Sequence, residues 1–307
     1  MERVLITGGS GLVGKHLNKK LTEKGYEVLI LSRNKTQINK SNVFYWNPEK
    51  EEIDSEAIEK ADYIIHLAGA NIGEKRWVKK QKQVILDSRV KTANLILKTI
   101  KEKNLKPKAF ISASATGYYG AITSNKEFTE TDSSANDFLG KTCNLWEKSA
   151  DEFTQVGIRT VKIRTGLVLS KKGGALYKML LPVKIGFGSP IGSGKQIMPW
   201  IHIHDLCNIY IKAIEDIKME GAYNAIAPEH LTNKEFMKTL ATVLKKPFWF
   251  PNVPSFVLKI LFGEMSQIIL KGSRVSSKKI MKAGYDFEFT NLKTAFKNLL
   301  RKHINIE

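Results

Sequence analysis

The segment Val4-Leu5-Ile6-Thr7-Gly8-Gly9-Ser10-Gly11-Leu12-Val13-Gly14 constrains this chain more than any other. Its apolar start reads as a strand buried on both faces, as in a parallel sheet. It then breaks into a glycine-punctuated loop and continues as a helix with Leu12, Val13, Leu17 and Leu21 on one face. Gly8, Gly11 and Gly14 suit a tight turn, close backbone approach to a pyrophosphate, and close packing of helix on strand. A glycine trio alone is a weak signal. Here a strand precedes it, a helix follows, and a second strand, residues 26–31, comes about twenty residues on, which is the context a dinucleotide cradle requires. Leu12 and Val13, inside the same loop, count with the three glycines as cofactor-binding residues.

Strand-like runs recur at residues 4–7, 27–31, 43–45, 63–68, 109–114 and 160–169. Helical patterns lie between most of them, among these 84–101, with Val84, Val90, Leu95 and Leu97, and 145–153. This alternation predicts an α/β fold, a Rossmann-type doubly wound parallel sheet. After Ser170 the texture changes to Lys171-Lys172-Gly173-Gly174 and then to a glycine-rich stretch over 186–194, which suits a lid or an interlobe crossing. The chain returns to the sheet near 222–226 and from Pro228 onward reads as mostly helical. The expected organisation is a Rossmann domain over 1–170 and 205–227, with a smaller, mostly helical substrate lobe over 171–204 and 228–307.

The 307 residues carry 49 Lys and Arg against 30 Asp and Glu, a net charge of +19. A field of that sign attracts phosphorylated cofactors, acidic substrates or nucleic acid. The lysines are dispersed in helical patterns such as Lys98, Lys101, Lys103, Lys106 and Lys108, and no nucleic-acid module accompanies them, so no nucleic-acid partner is expected. No apolar stretch is long enough to span a bilayer, and Met1-Glu2-Arg3 leads straight into the first strand; the expectation is a cytoplasmic protein with a small-molecule substrate and no membrane partner. Cys143 and Cys207 show no metal-ligand spacing and read as reduced apolar fillers. His202 and His204 alternate with Ile201 and Ile203 in a strand-like return before Asp205, without a third ligand at metal spacing, so no metal is expected. His202 is either a substrate-pocket group or a hydrogen-bonded core histidine.

These segments resemble the extended short-chain dehydrogenase/reductase superfamily, in its epimerase/dehydratase-like group, and within it an atypical family of epimerase-like oxidoreductases. The resemblance rests on the glycine loop, His66-Leu67-Ala68-Gly69-Ala70-Asn71, Lys75-Arg76-Trp77, Ser112-Ala113-Ser114-Ala115-Thr116-Gly117-Tyr118-Tyr119-Gly120, Gly173-Gly174-Ala175-Leu176, Pro199-Trp200-Ile201-His202 and Phe262-Gly263-Glu264-Met265. It runs from the first strand into the C-terminal lobe, which resembles a domain of unknown function.

Cofactor preference follows from the end of the second strand. A carboxylate there bonds the ribose hydroxyls of NAD, whereas an arginine accommodates the 2′-phosphate of NADP. Here the strand ends Leu31-Ser32-Arg33, with Lys35 following. Arg33 offers a forked, charge-assisted pair to phosphate and Ser32 a hydroxyl, so NADP(H) is the expected cofactor. Ala68, Gly69 and Ala70 end a later strand, where small residues let backbone approach the ribose and diphosphate. Lys75 and Arg76 suit a substrate carboxylate or phosphate, or an interlobe salt bridge, with Trp77 as an apolar wall.

The resemblance also implies chemistry, and there the chain departs from it. The superfamily uses a Ser or Thr to orient a carbonyl, a Tyr as acid or base, and a Lys four residues after the Tyr. Ser114 matches the first position. Leu139 stands at the tyrosine position and Cys143 at the lysine position, and Ser88, beside Arg89, stands where an asparagine often supports a proton relay. General acid–base help is worth roughly 10²–10⁴ in rate, so its loss removes ~3–5 kcal/mol of transition-state stabilisation. Tyr118 and Tyr119 lie in the loop after Ser114, and a phenol is protonated at neutral pH; Tyr118 is the first choice of replacement acid, with packing under the lobe the alternative for both tyrosines. The leading expectation is an NADP(H)-dependent oxidoreductase on a small carbonyl or sugar-like substrate, working in the reductive direction. The rival is a non-catalytic NADP-binding regulator of the cell-division-inhibitor kind.

Overall fold

The computed structural model describes residues 1–35 and 42–304. Its strands, in chain order, are β1 (Arg3–Thr7), β2 (Glu27–Ser32), β3 (Val43–Asn47), β4 (Glu52–Ile53), β5 (Tyr63–His66), β6 (Ala109–Ala115), β7 (Glu127–Phe128), β8 (Arg159–Thr165), β9 (Leu167–Leu169), β10 (Trp200–His202), β11 (Gly221–Ala225) and β12 (Arg274–Val275). The helices are α1 (Leu12–Glu23), α2 (Glu56–Glu59), α3 (Lys79–Glu102), α4 (Phe138–Thr154), α5 (Gly174–Lys184), α6 (Ile203–Glu215), α7 (Asn233–Val243), α8 (Ser255–Phe262), α9 (Gln267–Leu270), α10 (Lys278–Lys282) and α11 (Leu292–Ile304).

Eight strands form one sheet in the order β11-β8-β6-β5-β1-β2-β3-β4. Every pairing in it is parallel except β3 with β4. This is a Rossmann-like fold. The two-residue side-chain period sends Val4 and Ile6 to one face, against Leu17 and Leu21 of α1 and the α6 side chains, and Leu5 to the other, against Ile96 of α3 and Phe153 of α4. Strand order reverses between β1 and β5, and such a switch point opens a crevice at the carboxyl ends of the strands. The loops after β1, β5 and β6 therefore meet there.

The strand expected over 160–169 breaks at Gly166 into β8 of the large sheet and β9, which pairs with β10 in a separate two-stranded sheet. Three further local readings differ in detail. Helix α3 starts at Lys79 and turns Ile85 inward, leaving Val84 43% exposed; adjacent apolar residues of a long helix lie 100° apart, so only one faces the core. Helix α4 starts at Phe138, earlier than 145, because the Asp137 carboxylate accepts from the Gly140 N–H at 2.8 Å and caps it. The strand-like return stops at His202: its Nδ1 accepts from the His204 N–H at 3.1 Å and caps α6, so Ile203 and His204 are helical. Among the described residues no helix is long and apolar enough to cross a membrane.

Candidate active site

The loop after β1 is shaped by what its glycines lack. Gly8 has φ +72°, and a Cβ there would lie 2.9 Å from the Leu67 carbonyl carbon. A Cβ on Gly14 would fall on the Gly8 oxygen and 2.7 Å from Gly9 Cα. Loop and helix thus touch backbone to backbone. Gly11, the N-cap of α1, offers no side-chain acceptor, and the first turn carries no acid. The initial N–H groups of α1 therefore remain open to an anion at the positive end of the helix dipole.

The β5 loop is fastened to the same place. His66 is fully buried between Thr7 Oγ1, 2.8 Å from Nδ1, and Thr92 Oγ1, 3.1 Å from Nε2. The Thr92 hydroxyl donates to the Ser88 carbonyl, so a neutral ring protonated on Nε2 satisfies both contacts. Burial pushes the imidazole down to about 4. Thr7 Oγ1 accepts from the Ala68 N–H, and Ser88 Oγ accepts from the Ala70 N–H at 2.8 Å. Arg89 donates to the Ala70 carbonyl at 3.2 Å and to the Ile85 carbonyl at 2.7 Å, beneath Gly69. Ser88 and Arg89 accordingly hold the 68–70 backbone in shape.

Ser114, at the end of β6, is buried and donates to Glu147 Oε1 at 2.6 Å. Glu147 comes from the inward face of α4, and Arg164 of β8 grips it through Nε and Nη2, both at 2.8 Å. Arg164 also donates to Tyr119 Oη at 2.9 Å, and Tyr119 donates to Asn224 Oδ1 at 2.7 Å. Burial lowers the Arg164 guanidinium, but the bonds and charge of Glu147 outweigh it and hold it above its ordinary value. Burial pushes the Tyr119 phenol up to about 12. The same guanidinium lies over the Tyr118 ring, Cζ 3.5 Å from its centroid. Leu139 and Cys143 both stand against Gly117, just past the end of β6, so α4 does present these two positions to the site. Burial, and after it the Glu147 charge, pushes the Cys143 thiol up to about 12, so it carries no charge.

A cavity of about 250 Å³ connects the glycine loop to the end of β6. Gly8, Gly11, Leu12, Val13, Gly14 and Leu67 line it together with Ala113, Ser114, Thr165, Leu206 and Tyr210. The sequence reading named Gly8, Gly11, Leu12, Val13, Gly14 and Ser114, and missed the rest. The other named residues lie elsewhere. Ser32 and Arg33 sit at the exit of β2, Arg33 exposed and Ser32 Oγ accepting from the Asn34 N–H at 3.1 Å. Lys35 Nζ stands 5.0 Å above the Tyr45 ring. Lys75 is exposed. Arg76 donates to the Ile260 carbonyl at 3.2 Å, a contact from the loop after β5 to α8. Trp77 is buried beside Phe138 and Met265. His202 is a core histidine: buried, capping α6 and stacked on Phe289 at 3.8 Å, with burial pushing its ring down to about 3.

Residues 4–225 match the NAD dependent epimerase/dehydratase family, and residues 253–299 match a domain of unknown function, DUF1731. The Bacillus subtilis epimerase family protein YfhF is 39% identical over 300 residues, covering 97% of both chains. The crystal structure of human epimerase family protein SDR39U1 with NADPH is 32% identical at a TM-score of 0.87, covering 97% of this chain and 99% of that one. A nucleoside-diphosphate sugar epimerase from Corynebacterium glutamicum is 30% identical at a TM-score of 0.79, over 97% of this chain and 58% of that one. With a family model over residues 4–225 and a 39% identical relative covering 97% of the chain, the chain belongs to the NAD-dependent epimerase/dehydratase family.

Proposed function

We propose that this protein is an NADP(H)-dependent oxidoreductase of the family, acting on a small carbonyl or sugar-like substrate. The observation that carries this reading is that the phosphate-ready glycine loop and Ser114 line one shared cavity. Arg33, in place of a ribose-binding acid, supports the phosphorylated cofactor, and the human relative that was crystallised with NADPH points the same way. A bound nicotinamide supplies or accepts the hydride. The chain's own residues do the rest. The α1 N-terminus and glycine backbone would hold the diphosphate, Arg33 and the Ser32 hydroxyl would take the 2′-phosphate, and the 68–70 backbone would support the ribose and diphosphate.

Ser114 has a defined polarity. As the ion-pair partner of Arg164, Glu147 is a carboxylate and accepts only, so the Ser114 proton is committed to it. Ser114 then turns lone pairs to the cavity and receives a donor, such as a carbinol hydroxyl; to hold a carbonyl oxygen it must first turn away from Glu147. Tyr118 is the proposed proton donor for reduction, since among the described residues its hydroxyl has no hydrogen-bond partner. Leu139 and Cys143 at the two positions facing Gly117 favour the second reading, a non-catalytic NADP-binding regulator.

Single-turnover NADPH oxidation with a panel of carbonyl compounds separates the two. Under the first reading Tyr118→Phe and Ser114→Ala lower the rate by about tenfold or more while NADPH affinity stays nearly unchanged. Full activity in Tyr118→Phe removes Tyr118 as the acid. Tight NADPH binding without turnover across the panel establishes the regulator instead.

A further inference from the structure

Two stretches of the chain, 171–204 and 236–263, contain no Asp or Glu, yet carry five and four lysines respectively. They also carry a cluster of large apolar side chains that folding leaves exposed. Tyr177 and Leu181 of α5 and Ile185 at its C-cap recur every four residues, which is one face of a helix, and all three are exposed; Leu181 is 67% exposed. On α8 Phe256 and Ile260 repeat the pattern, and Trp249 just before it is 71% exposed. The stretches adjoin each other. The Phe187 and Phe250 rings meet at 4.8 Å, and the Val253 N–H donates to the Pro190 carbonyl at 2.8 Å. Both also flank the 73–76 loop: Lys178 of α5 donates to the Gly73 carbonyl at 3.3 Å, and Arg76 donates to the Ile260 carbonyl of α8. The exposed apolar groups thus border the loop that follows β5.

An exposed apolar tract of this extent marks an interaction surface. Its charge selects the occupant. A second copy of the chain would set Lys171, Lys172 and Lys259 against their own kind across a self-complementary contact, where like charges oppose association. The partner must be negative and must also accept large aliphatic and aromatic side chains. Helices that combine lysines with Trp, Phe and Leu on the exposed side are suited to lie in the headgroup region of an anionic bilayer, with the apolar groups dipping in and the lysines pairing with lipid phosphate. The sequence expectation of no membrane partner came from the lack of a spanning segment, and resting on a surface needs none.

We propose that α5, α8 and the 247–250 segment form a docking surface for anionic membrane lipid. Trp249 reports on it directly, because the other four tryptophans, Trp46, Trp77, Trp146 and Trp200, are buried. The test is co-sedimentation of the full chain with vesicles of phosphatidylcholine alone or in equal parts with phosphatidylglycerol, with tryptophan emission followed in parallel. The expected result is at least about tenfold stronger binding to the anionic vesicles, a blue shift of emission, and weakening by salt. Leu181→Gln with Ile260→Gln, both at exposed sites where folding is not at stake, reduces binding by about tenfold or more; Trp249→Phe retains binding and loses the blue shift. Failure to sediment with anionic vesicles at low salt overturns the proposal. So does binding that the Leu181 and Ile260 substitutions leave intact, which would reduce it to general basic attraction. Concentration-dependent self-association that those substitutions abolish, without vesicle binding, assigns the face to a second copy or another protein.

Discussion

Replacing Glu147 by glutamine should damage the fold more than any surface charge change, because of what it strands. Arg164 is 3% exposed and Glu147 4%, and two bonds of 2.8 Å join them. The amide keeps one acceptor but turns N–H groups toward a guanidinium that is already all donor. The cation cannot escape by losing its proton, since arginine stays charged in proteins. Removing one partner of a buried pair costs about 3–5 kcal/mol. The Tyr119 hydroxyl and the Glu130 carbonyl still accept from Arg164 and soften the loss, so the lower end, about 3 kcal/mol, is expected. For a chain of this size that corresponds to a melting temperature lower by roughly 5–12 °C. The assay is thermal and urea unfolding of four proteins: unaltered, Glu147→Gln, Arg164→Met, and Glu147→Met with Arg164→Met. The double variant, which leaves no charge behind, should recover most of the stability lost by either single change. A Glu147→Gln protein within about 1 kcal/mol of the unaltered one, or a double variant that merely sums the single losses, refutes the reasoning.

Gly14→Ala should weaken NADPH binding by about tenfold or more, because the new methyl meets loop backbone that cannot yield without moving; equal affinity by titration calorimetry would show that the loop reshapes freely. Acidification should destabilise the protein through His66 and His202, whose folded values are pushed down to about 4 and about 3. A histidine with a depressed folded value contributes fully above about pH 6.5, its unfolded value, and the contribution falls as pH drops toward the folded value. Urea unfolding near pH 4.5 should therefore show a loss of about 2–3 kcal/mol for each ring; a flat profile between pH 7 and 4.5 would contradict the buried neutral assignment. The dispersed lysines should give no specific nucleic-acid complex in gel-shift assays at physiological salt, and a salt-resistant, sequence-selective shift would overturn that.

The sheet was legible because its signal is local. Val4-Leu5-Ile6 is buried on both faces, and the glycines after it are where loop and helix backbones touch. The Glu147–Arg164 pair was not legible. Glu147 stands next to Lys148 on a helix that also carries Asp151 and Glu152, and nothing in that run distinguishes the inward acid from the outward ones. Arg164 shares its strand face with Lys162, two residues earlier, which pairs with Asp151 of the same helix, so alternation does not mark which of the two cations is the buried one. Only the register of β8 beside β6, with Arg164 opposite Ser114, brings hydroxyl, acid and guanidinium together. One usable signal was present: an ionic residue within a strand expected to be central needs a partner. His202 needed its tertiary neighbour too, since stacking on Phe289 makes it a core residue, and that contact spans 87 positions of the chain.

The most direct test of the account is a comparison of NADPH and NADH binding, by quenching of intrinsic fluorescence, in the unaltered protein and in Arg33→Ala. The unaltered protein should bind NADPH about tenfold or more tighter than NADH. Arg33→Ala should erase that preference and leave NADH affinity nearly unchanged. Equal affinity for both cofactors in the unaltered protein, or no binding of either, would contradict it.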